Sequence, residues 1–476
     1  MVRTRFAPSP TGDPHIGNIR SALFAYLFAK SQGGKFLLRI EDTDQKRLDA
    51  NSVDVIKEAL RWLEIVPENI DEPWVQSTRL EIYQKEAFDL IEKDAAYICT
   101  CSKERLEKLR EEQTAKGLPP KYDGACRKDD FQLPVDSVAD LPEDTVVRLK
   151  LPENEIIEFE DLVRGKISVS TKDLDDSILL KSDGFPTYHL AAIVDDREMK
   201  ITHVIRAEEW LPSTPKHVFL HRAFGWEPPA FAHLPVILGP NKGKLSKRDG
   251  ATGILEYKKL GYLPEALINF MVLLGWNPKT EEEFFVLAEL ENKFDIAQVN
   301  KAPAVFDINK LNHFNAHYLQ KKSPGELKKL LGDCPREGTV PCVSGISDAE
   351  IDLLGRGGYS TLKEMAEYIT QLRQAPEYPK ELLVFKKSTP EATQKGLKAT
   401  FEALGKVPDS DWNFDTLQKT LADVVVDQDL TNGDVFWPIR VALSGQEKSP
   451  SPVELLLALN KEESIKRIGI ALDKFS

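Results

Sequence analysis

Residues 2–44, VRTRFAPSPTGDPHIGNIRSALFAYLFAKSQGGKFLLRIEDTD, read as strand, loop, helix and strand. Residues 2–7 alternate in polarity and run into Pro8-Ser9-Pro10-Thr11-Gly12, a cluster of chain-turning residues. Over residues 17–30, Ile19, Leu23 and Leu27 recur every four positions, the period of a helix face, and Gly33-Gly34 closes the segment. Residues 35–40 form a second short apolar run, which ends at Glu41-Asp42-Thr43-Asp44. Strand, helix and strand within about 40 residues make a βαβ unit, whose right-handed crossover implies a parallel sheet. Two later runs, residues 202–206 and 233–238, are candidates to complete that sheet.

The rest of the chain differs in character. Residues 102–113 (SKERLEKLREEQ) read as a charged helix, and 114–185 are rich in Gly, Pro and Asp with short alternating runs such as 146–151. That pattern predicts an α+β insertion. From Leu311 onward the pattern is almost wholly helical, with breaks around Pro376, Pro379 and Pro408. The fold class expected is therefore an α/β N-terminal half, a doubly wound nucleotide-binding domain with an α+β insertion, followed by an all-α C-terminal half.

Composition bounds the function. At about 100–200 residues per domain, 476 residues suggest roughly three domains. A 41% hydrophobic content supplies several cores, which excludes a collagen-like, mucin-like or disordered chain. Lys and Arg number 63 against 76 Asp and Glu, a net charge of −13, which disfavours indiscriminate nucleic-acid binding but permits local basic patches. The longest apolar stretch, 266–276, is interrupted by Asn269 and is too short to span a bilayer. MVRTRFAPSP lacks an apolar signal core, so no membrane association and a cytoplasmic location are expected. The five cysteines do not make a secreted framework, and Cys334 and Cys342 read as ordinary thiols.

Two motifs carry chemistry. The first, residues 7–18, places His15, Gly17 and Asn18 at a helix start, where unpaired N–H groups and the helix dipole attract phosphate. His15 and Asn18 lie about one turn apart and can both reach phosphate oxygens, and Gly17 permits close approach of a group such as an adenine ring. The second, Lys242-Gly-Lys-Leu-Ser-Lys-Arg248, sets three lysines (Lys242, Lys244, Lys247) and an arginine on a loop able to converge on polyphosphate. Either motif alone is compatible with ordinary solvated surface.

The pair, PSPTGxPHIGN after the first strand and KLSKR after a later one, resembles the signatures of class I aminoacyl-tRNA synthetases, in the form of the bacterial-type glutamyl-tRNA synthetases. Residues 36–44 (FLLRIEDTD), 184–190 (GFPTYHL), 194–196 (VDD), 206–210 (RAEEW) and 436–445 (FWPIRVALSG) match that family in order, over essentially the whole chain. The resemblance implies a Rossmann-like catalytic domain at 1–98 and 186–240 and an acceptor-binding insertion at 99–185. It implies next a stem-contact region at 241–320 and helical anticodon-binding modules at 321–375 and 376–476. It implies ATP with Mg²⁺, L-glutamate and tRNA(Glu) as substrates, a monomer, and tRNA bound before activation.

The same resemblance assigns Arg5, Ala7, Ser9, Glu41, Tyr188 and Arg206 to glutamate, and Thr11, Gly17, Glu209 and Lys247 to ATP. His15, Asn18, Lys244 and Lys247 then form the catalytic set. The residue types suit these roles: arginines recognise carboxylates, a carboxylate at a strand end can hold an ammonium, and a tyrosine hydroxyl can close a pocket. One departure is visible, Ala192 where relatives often carry Asn. Some relatives hold structural zinc where Cys99, Cys101, Tyr122 and Cys126 fall; Zn²⁺ on these four, or reduced thiols beside a hairpin, are both open, tyrosine being an unusual ligand. Discriminating relatives carry a base-reading arginine just before a Thr-Leu dipeptide, and here Gly358 falls at that place, with Arg356 two positions away. Its absence implies that tRNA(Gln) is also accepted.

Three rivals remain at this stage. A truncated relative that glutamylates a modified tRNA base lacks the helical half. A small-molecule nucleotidylyltransferase shares a similar helix start but leaves Tyr188 and Arg206 unexplained. A non-enzymatic tRNA-binding homologue would not need His15 and residues 242–248.

Overall fold

Strands β1 (Arg3–Phe6) and β2 (Lys35–Ile40) pair in parallel with Arg5 opposite Leu37, and helix α1 (Ile16–Ser31) crosses between them. The structure is a computed structural model that describes residues 1–49, 51–127, 144–243, 245, 253–332 and 341–476. Helix α1 is apolar all round rather than on one face, and residues 22–29 are buried throughout, as such a helix requires. Its buried Arg20 donates to the carbonyls of Leu274, at 2.6 Å, and Pro235, while burial lowers its pKa to about 10.

After β2 come α2 (Ser52–Trp62), β3 (Trp74–Val75), which pairs in parallel with β2, and α3 (Leu80–Glu92). Strand β4 (Ala96–Cys99) and the Ser102-capped helix α4 (Lys103–Ala115) follow. Strands β5 (Val146–Leu149) and β8 (Ile178–Leu180) complete an antiparallel sheet with β4. Between them, β6 (Ile156–Asp161) and β7 (Gly165–Ser170) form a hairpin. Helix α5 (Tyr188–Glu198), β9 (His203–Ala207), α6 (Thr214–Phe224) and β10 (Ala230–Leu234) then return the chain to the parallel layer. β9 and β10 pair in parallel, β6 lies on the other side of β10, and the Thr202 amide donates to the Arg3 carbonyl at 2.9 Å to seat β9 beside β1. One apolar core joins α3, β4, β5, β8, α5 and α6.

The candidate run 233–238 does not act as one strand. β10 ends at Leu234, and β11 (Ile237–Leu238) pairs instead with β12 (Ala304–Val305). Pro235 separates them, because it has no N–H to continue the ladder.

The chain divides into two compact units, Met1–Glu256 with Pro264–Lys310, and Tyr257–Leu263 with Leu311–Ser476. The second is helical in its described residues, with helices at Pro324–Gly332, Asp348–Gly355, Leu362–Arg373, Pro390–Lys406, Phe414–Asp427, Asn432–Ser444 and Pro452–Asp473. Trp437 donates to the Leu382 carbonyl at 2.9 Å and fixes the segment between two of them. Cys342, expected as an ordinary thiol, is disulfide-bonded; Cys334 lies outside the described residues. Among the described residues no helix is long and apolar enough to cross a membrane.

Candidate active site

The loop after β1 folds over the end of β2: the Glu41 amide donates to the Pro8 carbonyl at 3.0 Å, and the Thr11 amide to Ser9 at 2.9 Å. His15 is the N-cap of α1. Its Nδ1 accepts from the Gly17 amide at 3.0 Å, and its own amide donates to Asn18 Oδ1 at 3.3 Å, a reciprocal cap that satisfies two otherwise unpaired donors. The close approach expected at Gly17 is made here by the His15 ring, whose Cε1 would stand 2.9 Å from any Cβ.

Residues 253 and 254, a few positions beyond the second motif, meet the first. The Ile254 amide donates to the Pro14 carbonyl at 2.9 Å, and Gly253 pairs with His15 as an antiparallel bridge. A Cβ on Gly253 would lie 2.8 Å from the Asp13 Cβ, so this approach needs glycine. At the near end, Lys242 adopts a left-handed φ of 59° and its amide donates to the Gly239 carbonyl at 2.9 Å. Lys244, Lys247 and Arg248 lie outside the described residues.

Beneath the loop lies a buried ion network. Arg5 on β1 donates through Nε to Asp196 Oδ1 at 3.0 Å. Arg39 on β2 donates to the same oxygen at 2.6 Å and to Glu41 Oε1 at 2.9 Å. Burial alone would raise the Asp196 carboxyl, but Arg39 and Arg5 hold it at about 2. Burial pushes Glu41 up, against the pull of Arg39 and Arg5. The adjacent Asp195 faces another way and accepts from Trp74, Gln76, Arg79 and Tyr83, which ties β3 and α3 to α5.

Arg206 on β9 is the second buried arginine of the expected pocket. Its Nε donates to His233 Nε2 at 3.0 Å, Nη1 to the Tyr188 hydroxyl, and Nη2 to Thr214 Oγ1 at 2.8 Å and the Trp210 carbonyl at 3.3 Å. Tyr188 packs its ring 4.6 Å from Trp210 and 5.3 Å from His217. Burial raises the Tyr188 hydroxyl's pKa, and Arg206, from which it accepts, acts with Arg5 against that rise while Glu41 adds to it. Ala192 is buried in α5, and Glu209 is exposed beside the half-exposed Trp210. Arg39, Asp196, His233 and Thr214 are residues that the sequence reading did not single out. The signal for Asp196 was two adjacent acids following the apolar Leu190–Val194 stretch, which demand buried cations.

The thiols converge. Cys99, Cys101 and Cys126 bring their sulfurs within 4.8 Å of one another, with Cys101 and Cys126 3.4 Å apart. The Tyr122 hydroxyl lies 3.4 Å from both Cys99 and Cys101, while Arg148 stacks 4.0 Å over its ring. In the helical unit, Gly358 is exposed with open space where a side chain would stand, whereas Arg356 pairs with Glu454 at 2.8 Å.

A parallel layer whose first crossover helix is capped by a histidine, with residues 253 and 254 joined to the start of that helix, fits a class I aminoacyl-tRNA synthetase catalytic unit. Residues 1–313 match the family described as tRNA synthetases class I (E and Q), catalytic domain, and residues 348–472 match an anticodon binding domain. A glutamate–tRNA ligase of Alkaliphilus metalliredigens is 40% identical over 501 aligned positions, covering 98% of each chain. One from Clostridium botulinum is 41% identical and covers 99% of each. The crystal structure of a glutamate tRNA ligase from Elizabethkingia meningosepticum in complex with its amino acid matches with a TM-score of 0.82 and 36% identity over 100% of both chains. The chain belongs to the glutamate–tRNA ligase family of class I tRNA synthetases.

Proposed function

We propose that this chain activates L-glutamate with ATP and transfers it to the 3′-terminal adenosine of tRNA(Glu), and of tRNA(Gln) as well. The observation that carries the glutamate reading is the pair of buried arginines, Arg5 and Arg206, each held by its Nε and both acting on Tyr188. Among the described residues the bonds of Arg206 take four of five guanidinium hydrogens, so one Nη1 hydrogen and the Tyr188 hydroxyl are offered to the side-chain carboxylate. Glu41 receives the ammonium, and Ala7 and Ser9 line the loop above it.

In the first step a glutamate α-carboxylate oxygen attacks the α-phosphorus of ATP. The bond to the β-phosphate oxygen breaks and pyrophosphate leaves. The protein supplies position and charge: the His15-capped helix start and Asn18, together with the cations Lys244 and Lys247 of the second motif, with Thr11, Gly17 and Glu209 seating the nucleotide. Mg²⁺ enters on the ATP phosphates as part of the substrate and offsets their charge. In the second step a ribose hydroxyl of the terminal adenosine attacks the acyl carbon and AMP leaves. The helical unit, absent from the truncated base-modifying relative, favours a tRNA recognised through its anticodon.

Two finer features complete the proposal. Tetrahedral sulfurs about 2.3 Å from Zn²⁺ stand about 3.8 Å apart, and the spacings among Cys99, Cys101 and Cys126 suit that geometry, with Tyr122 beside them as fourth ligand. Zinc there would cross-link the chain around β4 and take no part in the reaction. Metal analysis of the purified chain is expected to give one zinc, lost in Cys126→Ser. Gly358 offers no donor to the third anticodon base, and Arg356 is engaged by Glu454, which supports relaxed choice between C and G. Charging purified tRNA(Glu) and tRNA(Gln) with glutamate tests this: rates within about tenfold are expected, and a preference above about a hundredfold for tRNA(Glu) overturns it.

A further inference from the structure

The buried chain Asp161–His233–Arg206 couples the β6–β7 hairpin to the glutamate pocket, and no catalytic step uses it. His233 is wholly buried on β10, directly opposite Arg206 in the β9–β10 register. Its Nδ1 lies 2.6 Å from Asp161 Oδ2, and its Nε2 lies 3.0 Å from Arg206 Nε. Arg206 Nε carries a hydrogen and can only donate, so His233 Nε2 must present a lone pair. Asp161 Oδ2 can then receive the hydrogen on Nδ1. Asp161 is itself fixed: its Oδ1 accepts from the amides of Arg164 at 2.8 Å and Val163 at 3.0 Å. Those bonds and the His233 contact outweigh burial and keep the carboxyl ionised. Thr214 Oγ1 closes the arrangement, 3.1 Å from His233 Nε2 and 2.8 Å from Arg206 Nη2.

We propose that Asp161 and His233 are positioning residues for glutamate: Asp161 locks His233 as the Nδ1–H tautomer, and His233 thereby aims the Arg206 guanidinium at the substrate's side-chain carboxylate. The inference rests on the reading of Arg206 as a glutamate ligand. An arginine whose Nε is fixed by a buried acceptor has its guanidinium plane set in advance, so part of the cost of ordering a long side chain is met before substrate arrives. A histidine in the opposite tautomer would face Arg206 donor to donor.

Asp161→Asn is the selective probe. It keeps the shape, and Oδ1 can still accept from the two turn amides. Its Nδ2, in place of Oδ2, donates to His233 Nδ1 and drives the hydrogen to Nε2, as the equivalent change inverts a catalytic histidine elsewhere. Thr214 can accept that hydrogen, but Arg206 Nε loses its acceptor. Steady-state charging at saturating tRNA is expected to show a glutamate KM raised about tenfold or more, with the ATP KM within about twofold of the unchanged chain. Nitrogen-15 spectra should show neutral His233 with hydrogen on Nδ1 in the unchanged chain and on Nε2 in Asp161→Asn. Hydrogen on Nε2 in the unchanged chain overturns the proposal, whether or not the variant folds. So does an unaltered glutamate KM in Asp161→Asn, or an equal rise in both KM values with a lowered melting temperature. Arg206→Ala separates the two levels: if it leaves the glutamate KM unchanged, the pocket reading fails, whereas a large effect there with none in Asp161→Asn removes the relay alone.

Discussion

At the scale of single residues, some side chains of the proposed pocket meet the substrate and others hold those that do. Removing Arg206 leaves the γ-carboxylate without its partner in a buried pocket, where an unpaired charge costs several kcal/mol. Arg206→Ala should therefore impair glutamate use far more than ATP use, with circular dichroism unchanged, and free glutamine should be a poor substrate of the unaltered chain. Charging with glutamine at a rate comparable to glutamate would contradict this. Lys247→Ala should lower the activation rate by about a hundredfold to a thousandfold with little change in the ATP KM; a raised KM with an unchanged kcat would make this lysine a simple anchor. Arg206 and Tyr188 were legible because they sit in contiguous family-like stretches, and Arg5 because it belongs to the first strand of the opening βαβ unit. Asp161 and His233 were not, because they are 72 positions apart, each is unremarkable in its own segment, and only the β6–β10 pairing brings them together. The pairing of Arg39 with Asp196 was not legible for a similar reason: the two lie in separate stretches, 157 positions apart.

At the scale of elements, Gly253 and Ile254, which follow the basic motif in the chain, are joined to the start of α1. Gly253→Ala should force apart Gly253 and Asp13, whose Cβ would stand 2.8 Å from the new methyl. The activation rate should fall about tenfold or more while the melting temperature moves little, since the strain falls on a loop; an unchanged rate would show that the docking is dispensable. The helix pair α5 and α6 carries a pH dependence. Burial, helped by Lys216, lowers His189 from 6.5 to about 4, and burial with Arg206 lowers His217 well below its ordinary value too. The unfolded chain takes up these protons first, so stability present above pH 6.5 is lost as pH falls toward about 4. Burial lowers His221 on α6 as well, and Glu41, with its raised carboxyl, works in the opposite sense but is one group against these three. Denaturant midpoints should decline between pH 7 and pH 5, and a flat profile would contradict this balance. The βαβ opening was legible from periodicity alone. The split of 233–238 between two sheets was not, because an apolar run does not reveal which neighbour each half pairs with.

At the scale of the whole molecule, an α/β catalytic unit and a helical unit divide the work between chemistry and the choice of tRNA. That division was readable from the change of period near Leu311, whereas the sharing of residues 146–180 between an antiparallel sheet and the parallel layer depends on long-range pairing that no local pattern encodes. A Cβ at Gly358 meets open space, and Gly358→Arg should create a preference of about ten- to a hundredfold for tRNA(Glu) over tRNA(Gln) by adding a base-reading donor. An unchanged ratio would place the reader elsewhere. The most direct test of the central claim is ATP–pyrophosphate exchange with glutamate or glutamine as the amino acid, each with and without tRNA. The account predicts exchange with glutamate when tRNA is present, and little or none in the other three mixtures. Exchange driven equally by glutamine, or no exchange with glutamate and tRNA together, would contradict it.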